Sequence, residues 1–246
     1  MKYDAWFDSD ENKILMAVST RRMIKSLGIG GIIWGVINVA IGVVAMQAST
    51  INVGLLILGI LMLGTGVQAL LKPSLGILLA ETIVTTLLFL WNLAVTVLNT
   101  MAGAEFDPGG LVIPLLVAVS LIQSYKKLNH IRDLIPTVSA QDINATKQAW
   151  KSIKRKKLKR EPLVVKTTGT NCRVQLMSDQ AFFVHWDFFM RAFVVPRNAM
   201  VAALARPDAK KLTFNFNHPL KKIRYTFNRK NSDKLKVWLA AQNYES

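Results

Sequence analysis

Four long apolar runs fill the stretch from about Leu27 to Tyr125, and charged side chains are nearly absent from it. The runs cover about Gly28 to Met46, Ile51 to Leu71, Leu75 to Leu98 and Leu111 to Tyr125. A helix rises about 1.5 Å per residue, so roughly 20 apolar residues cross a ~30 Å hydrocarbon core. The pattern predicts four membrane-spanning helices within residues 28–128. Their connections are Gln47 to Thr50, Lys72-Pro73-Ser74, and a longer loop from Asn99 to Gly110. Connections this short make neighbouring helices antiparallel, as in a four-helix bundle. Pro114 is expected in the first turn of the fourth span, where a missing N–H costs little.

Ahead of the spans, Ser9-Asp10-Glu11-Asn12 has the form of a helix start, with a capping hydroxyl and acids near the positive end of the helix dipole. Ile14, Leu15 and Val18 give an apolar side, and Arg21, Arg22 and Lys25 close the segment. Residues 1–27 are therefore expected to form an amphipathic segment at the membrane interface, or else an extension of the first span. Asp4, Asp8, Asp10 and Glu11 precede any apolar run, unlike a secretory signal, so the first span is expected to be retained.

Behind the spans the period changes. Leu134-Ile135-Pro136 breaks the helix, and Ser139 to Ile153 reads as another one with Ile143, Ala149, Trp150 and Ile153 apolar. Residues 129–161 are expected to be this helix followed by a polybasic linker. From Pro162 the apolar positions alternate instead. Leu212, Phe214 and Phe216 interleave with Thr213, Asn215 and Asn217; Ile223, Tyr225 and Phe227 interleave with Arg224, Thr226 and Asn228. Alternation marks strands with one buried face, and Asn217-His218-Pro219 between the two runs predicts a hairpin. Leu163 to Lys166, Cys172 to Met177, Ala181 to Trp186 and Arg191 to Val195 are further strand candidates. Asn231-Ser232-Asp233 is a capping group for a last helix bearing Leu235, Trp238 and Leu239. The fold class is thus a membrane all-α four-helix bundle plus a C-terminal cytoplasmic β-rich domain over residues 162–246, antiparallel strands with a closing helix.

Charge orients this arrangement. The chain has 246 residues and a formal net charge of +16, yet between Gly28 and Tyr125 only Lys72, Glu81, Glu105 and Asp107 are acids or bases. Lys and Arg flank the start of span one, the connection between spans two and three, and the end of span four. The other two connections have none. The positive-inside bias therefore places both termini in the cytoplasm. The polybasic cluster suits anionic phospholipid headgroups, with Trp150, Lys151, Lys154, Arg155, Lys156, Lys157, Lys159 and Arg160 as the expected contacts. Lys221, Lys222, Arg224, Arg229 and Lys230 extend the basic character into the β domain. Nucleic acid is a poorer match to charge placed this way.

Within the spans, Gly31, Gly35, Asn38 and Gly42 form one stripe, and Gly59 and Gly66 form another. Small residues let helix backbones approach, either within one chain or in a homo-oligomer. Thr82, Thr85, Asn92 and Thr96 lie along one side of span three, to be read as packing or as a polar path. Glu81 is the only carboxylate at membrane depth and so a candidate functional acid, although it is near enough to the cytoplasmic end to reach Lys72 or headgroup water. No catalytic set assembles: His130, His185 and His218 are far apart, with His185 expected in a core or edge strand and His218 in a turn. Cys172 is the only cysteine, and no phosphate loop or metal-ligand spacing occurs. Neither a cofactor nor a metal is expected.

Phe193-Val194-Val195-Pro196-Arg197, Leu212-Thr213-Phe214 and Ser232-Asp233-Lys234-Leu235-Lys236-Val237-Trp238-Leu239 resemble stretches of bacterial pleckstrin-homology-like domains, in particular those tethered to small multi-span membrane proteins. The resemblance covers about the last third of the chain. It implies a binding or scaffolding module in the bacterial inner membrane rather than an enzyme. The expected function is a self-associating membrane scaffold whose cytoplasmic domain is held at the anionic inner leaflet. The alternatives are an accessory subunit among other membrane subunits and, resting on Glu81 alone, a small ion- or proton-coupled transporter.

Overall fold

A computed structural model describes residues 3–46, 53–105, 108–134, 137–155, 163–168, 172–185, 191–205, 210–219 and 221–241. The chain divides into two compact units, one of residues 21–130 and one of residues 1–20 with 131–246.

Four helices are long and apolar enough to cross a membrane, all within the first unit except for the start of the first helix. They are α1 (Asp10–Met46), α2 (Val53–Leu71), α3 (Leu75–Met101) and α4 (Gly109–His130). Ser74 caps α3 by accepting from the Ile77 N–H at 3.3 Å, and Gly103, at φ 94°, follows its end in the left-handed conformation that suits glycine. α4 begins two residues before the expected span and runs five beyond it, so Pro114 is its sixth residue rather than a first-turn one.

The second unit is an antiparallel half-barrel. Its strands are β1 (Leu163–Thr168), β2 (Cys172–Leu176), β3 (Gln180–His185), β4 (Arg191–Pro196), β5 (Thr213–His218) and β6 (Lys221–Phe227), in the spatial order β4-β3-β2-β1-β6-β5. β1 serves both halves of the sheet. Its residues Leu163 to Lys166 pair with β2, while Thr167 and Thr168 pair with β6. The sheet curls about this strand until aromatics of the two halves meet. Phe183 stands 5.4 Å from both Phe216 and Tyr225, and Phe193 stands 6.0 Å from Phe216, measured between ring centroids.

Three helices pack on the sheet: α5 (Ala140–Arg155), α6 (Arg197–Ala202) and α7 (Arg229–Ala240). α7 places Leu235 in the aromatic core. Its cap is Asn228, which accepts from the Asn231 N–H at 2.9 Å, and not the expected Asn231-Ser232-Asp233 group. Ser232 instead turns inward, where its hydroxyl accepts from the Leu212 N–H at 2.9 Å and donates to the Phe227 carbonyl at 3.2 Å.

Two of the expected segments can be placed in this fold. From Asp10 on, the N-terminal segment is continuous with the first span, the second of its two expected forms. A 3-10 turn at Ala5–Asp8 and the first turns of α1 belong to the half-barrel, and the same helix then continues into the apolar unit. Trp6 and Phe7 sit against both edge strands: Phe7 lies 5.6 Å from Phe193 of β4 and 4.8 Å from His218 of β5. Asn12 is 3% exposed and bonds twice to the backbone of Val194, donating to its carbonyl at 2.9 Å and accepting from its N–H at 2.7 Å. Asp4 makes the corresponding contacts on β5, donating its own N–H to the Asn217 carbonyl at 3.0 Å and accepting from the Asn217 N–H at 2.9 Å. The helix expected from Ser139 to Ile153 is α5, and the linker expected after it lies outside the described residues. Trp150 and Ile153 of α5 pack with Leu15, Ala17 and Val18 of α1 over Phe182, Val184, Ala192 and Val194. The β3–β4 half of the sheet is thus buried on both faces.

Candidate functional site

The glycine stripes meet one another inside one chain. A side chain at Gly35 would begin 2.8 Å from the Leu63 backbone nitrogen, and one at Gly66 would begin 2.7 Å from the Gly28 carbonyl oxygen. Gly42 faces Leu56 in the same way, and Gly59 faces Asn38 and Val39. Real Cβ atoms do not approach that closely, so α1 and α2 are in backbone contact along this seam. The stripe expected to serve packing or self-association is occupied by packing within the chain.

Gly31 opens room for something else. Glu81 of α3 is 1% exposed, and its Oε1 lies in the space a Gly31 side chain would take. Its Oε2 is buried with no hydrogen-bond partner among the described residues. The acid does not reach Lys72; among the described residues the one ion pair is Arg132–Asp133. An acid this enclosed and unpartnered is costly unless it is neutral or has a ligand.

One turn along α3, Thr85 lines a cavity of about 350 Å³. Trp34, Asn38 and Ile41 of α1, Leu55 and Met62 of α2, Asn92, Val95 and Thr96 of α3, and Ile113, Pro114 and Val117 of α4 complete the wall. Three of the four polar residues predicted along span three therefore line it, while Thr82 turns back onto its own helix. The parts played by Trp34 and Pro114 have no signal in the sequence, since either residue type also suits a lipid-facing position.

The expected lipid-contact residues separate. Trp150 is 3% exposed in the core beneath α5, not at a surface, because its ring fills the layer between α1 and β3–β4. Lys151, the next residue, is exposed. Lys154 and Arg155 end α5, with side chains outside the described set, and Lys156, Lys157, Lys159 and Arg160 lie outside the described residues altogether. What the structure does present is the outer face of β5–β6. Lys222 and Arg224 are exposed there, paired in register with Asn217 and Asn215, and Arg229 and Lys230 follow at the start of α7.

Two of the three histidines pack into the half-barrel, and His130 is exposed at the end of α4. His185 is half-buried, with Nδ1 3.2 Å from the Tyr225 hydroxyl. His218 is 4% exposed against Phe7 and Phe193, at the end of β5 and not in an open turn. Among the described residues no group of three or more His, Cys, Asp or Glu could hold a metal ion. Comparison with protein-family models, with curated proteins and with solved structures finds no match for this chain.

Proposed function

We propose that the chain is a non-enzymatic, multi-pass protein of the bacterial inner membrane that holds a pleckstrin-homology-like interaction module against the anionic cytoplasmic leaflet. One observation carries this reading. The N-terminal residues that fill the seam of the half-barrel run on, without a break in α1, into the first of four helices long enough to span a bilayer. A module closed by the chain that becomes its own anchor cannot be released from the membrane and stay folded. That favours a tethered binding surface over a diffusing one. The cytoplasmic assignment rests on Arg21, Arg22, Lys25, Lys72, Lys126 and Lys127 at one end of the spans. The pleckstrin-homology-like identity rests on the curled antiparallel sheet with a closing helix.

The exposed Lys222, Arg224, Arg229 and Lys230 supply the surface for anionic headgroups, each worth about 1 kcal/mol near such a membrane. The full chain in nanodiscs of neutral lipid, and of neutral mixed with anionic lipid, tests this by amide hydrogen exchange. Slower exchange of β5–β6 in the anionic discs is expected, abolished by the K222E/R224E pair. Equal exchange in both discs would reject the lipid-facing role.

A further inference from the structure

The threonines of α3 do not all behave alike. Thr82, Thr86, Thr96 and Thr100 each donate the side-chain hydroxyl to the carbonyl four residues back, at 2.7, 2.8, 2.8 and 2.9 Å. This is the bond a hydroxyl in an apolar helix ordinarily makes. Thr85 does not make it. It is 1% exposed, its Oγ1 has no partner among the described residues, and it lines the cavity. Two amides share the wall. Asn38 uses its Nδ2 on the Trp34 carbonyl at 2.8 Å, and its Oδ1 meets no donor among the described residues. The Asn92 side chain likewise makes no hydrogen bond among the described residues, although it too lines the cavity. Donors and acceptors therefore converge on one space without being satisfied among the described residues, which marks a site built for a ligand or for water.

The wall also says what kind of ligand. It contains no acid or base, since Glu81 lies one turn beyond Thr85 and outside the wall; the remaining residues are aliphatic apart from Met62, Trp34 and Pro114. A charged head would have no counter-charge there, and a pure hydrocarbon would leave Thr85 and Asn92 unsatisfied. A hydroxyl group fits, because it can accept from one of these groups while donating to another. At about 350 Å³ the space lies within the roughly 300–1,000 Å³ of small-molecule sites. We propose that this cavity binds an uncharged amphiphile, held through a hydroxyl group by Thr85, Asn38 and Asn92 with its apolar body along Met62, Ile113 and Val117. The proposal rests on the membrane reading only for the route by which such a molecule arrives.

Trp34 in the wall supplies the readout, because bromine quenches an adjacent indole. The full chain in detergent is titrated with ω-bromodecanol and, as the control lacking the hydroxyl, with bromodecane. The alcohol is expected to quench saturably and the alkane only in proportion to its concentration. Trp34→Phe should abolish the saturable part. Thr85→Val, which keeps the side-chain shape, should weaken it about 3- to 10-fold, the range for one hydrogen bond lost. Asn92→Leu gives the same test on a less enclosed residue should Thr85→Val lower the thermal transition. Identical curves for alcohol and alkane would mean a site for any hydrocarbon chain, and saturation by neither would mean a water-filled cavity. Either result, or an alcohol affinity unchanged by Thr85→Val and Asn92→Leu, overturns the proposal. None of these outcomes bears on lipid-dependent exchange of β5–β6, so the two readings fail separately.

Discussion

The two halves of the half-barrel use the same antiparallel pairing and differ in what covers them. In β3 and β4, Ala181 to Val184 and Ala192 to Val195 are buried at every position, because α1 and α5 pack on the face turned away from the aromatic core. In β5 and β6, Phe214, Phe216, Ile223 and Tyr225 point inward while Asn215, Lys222 and Arg224 meet solvent. Covering both faces turns an alternating strand into a continuous apolar run. Residues from the opposite end of the chain touch both edge strands, but they cover the outer face of β3–β4 alone, while the outer face of β5–β6 meets solvent.

That cover can be removed outright. A fragment of residues 162–246 retains all six strands and α7, yet lacks Phe7, Asn12, Leu15, Val18, Trp150 and Ile153. It would expose the outer face of β3–β4 and the full length of the β4 edge, a liability that folded sheets avoid. The expected outcome is a fragment without a cooperative urea transition, prone to association, while the full chain in detergent unfolds cooperatively. A monomeric fragment with dispersed amide resonances would show that the cover is dispensable.

The strands were legible from local pattern to within a residue or two at their ends, and the helical runs by their apolar length, because alternation and apolar length are properties of neighbouring residues. The helix ends were not, since α1 starts well ahead of its apolar run and α4 continues five residues past its own. The cover was not. Asn12 and Val194 are 182 residues apart in sequence, and nothing near Asn12 distinguishes an edge-capping amide from an ordinary first-turn residue. Trp150 next to Lys151 is as apt for a headgroup layer as for a core; only the partner face decides. One local hint existed in the four unbroken apolar residues Ala181 to Val184, which report a strand buried on both sides. In the bundle, Glu81 was visible as an intramembrane acid, but its isolation depends on Gly31 of another helix. Thr85 and Thr82 are chemically identical in the sequence, and geometry alone separates the hydroxyl that bonds back from the one that does not.

Asn12→Leu sharpens the comparison at one residue. It leaves the Val194 N–H and carbonyl buried without partners, at about 1–3 kcal/mol for each. Lys222→Ala on the open half removes an exposed side chain and should stay within about 0.5 kcal/mol of the parent. Urea midpoints of the two variants measure the contrast, and comparable shifts would mean that the edge contact of Asn12 matters no more than an exposed lysine. Faster amide exchange at β4, with β6 unchanged, would place the Asn12 effect on the covered half.

The smallest effect expected concerns the cap of α5. The Ser139 hydroxyl and backbone N–H both donate to Asp142 Oδ2, at 2.8 and 2.9 Å, and the Asp142 N–H donates back to Ser139 Oγ at 3.1 Å. These bonds hold the Asp142 carboxyl below its ordinary value of 3.8, because they favour the ionised form. The unfolded chain therefore takes up the proton first. The contribution of the cap is complete above the ordinary value and is lost as pH falls through the lower folded value. On acidification, exchange should rise in the first turn of α5 before it changes in β5–β6, and Asp142→Asn should remove that pH dependence while weakening the cap at neutral pH. Because α5 covers one half of the sheet and not the other, acid that loosened both halves together would mean that the cover is not an independent layer.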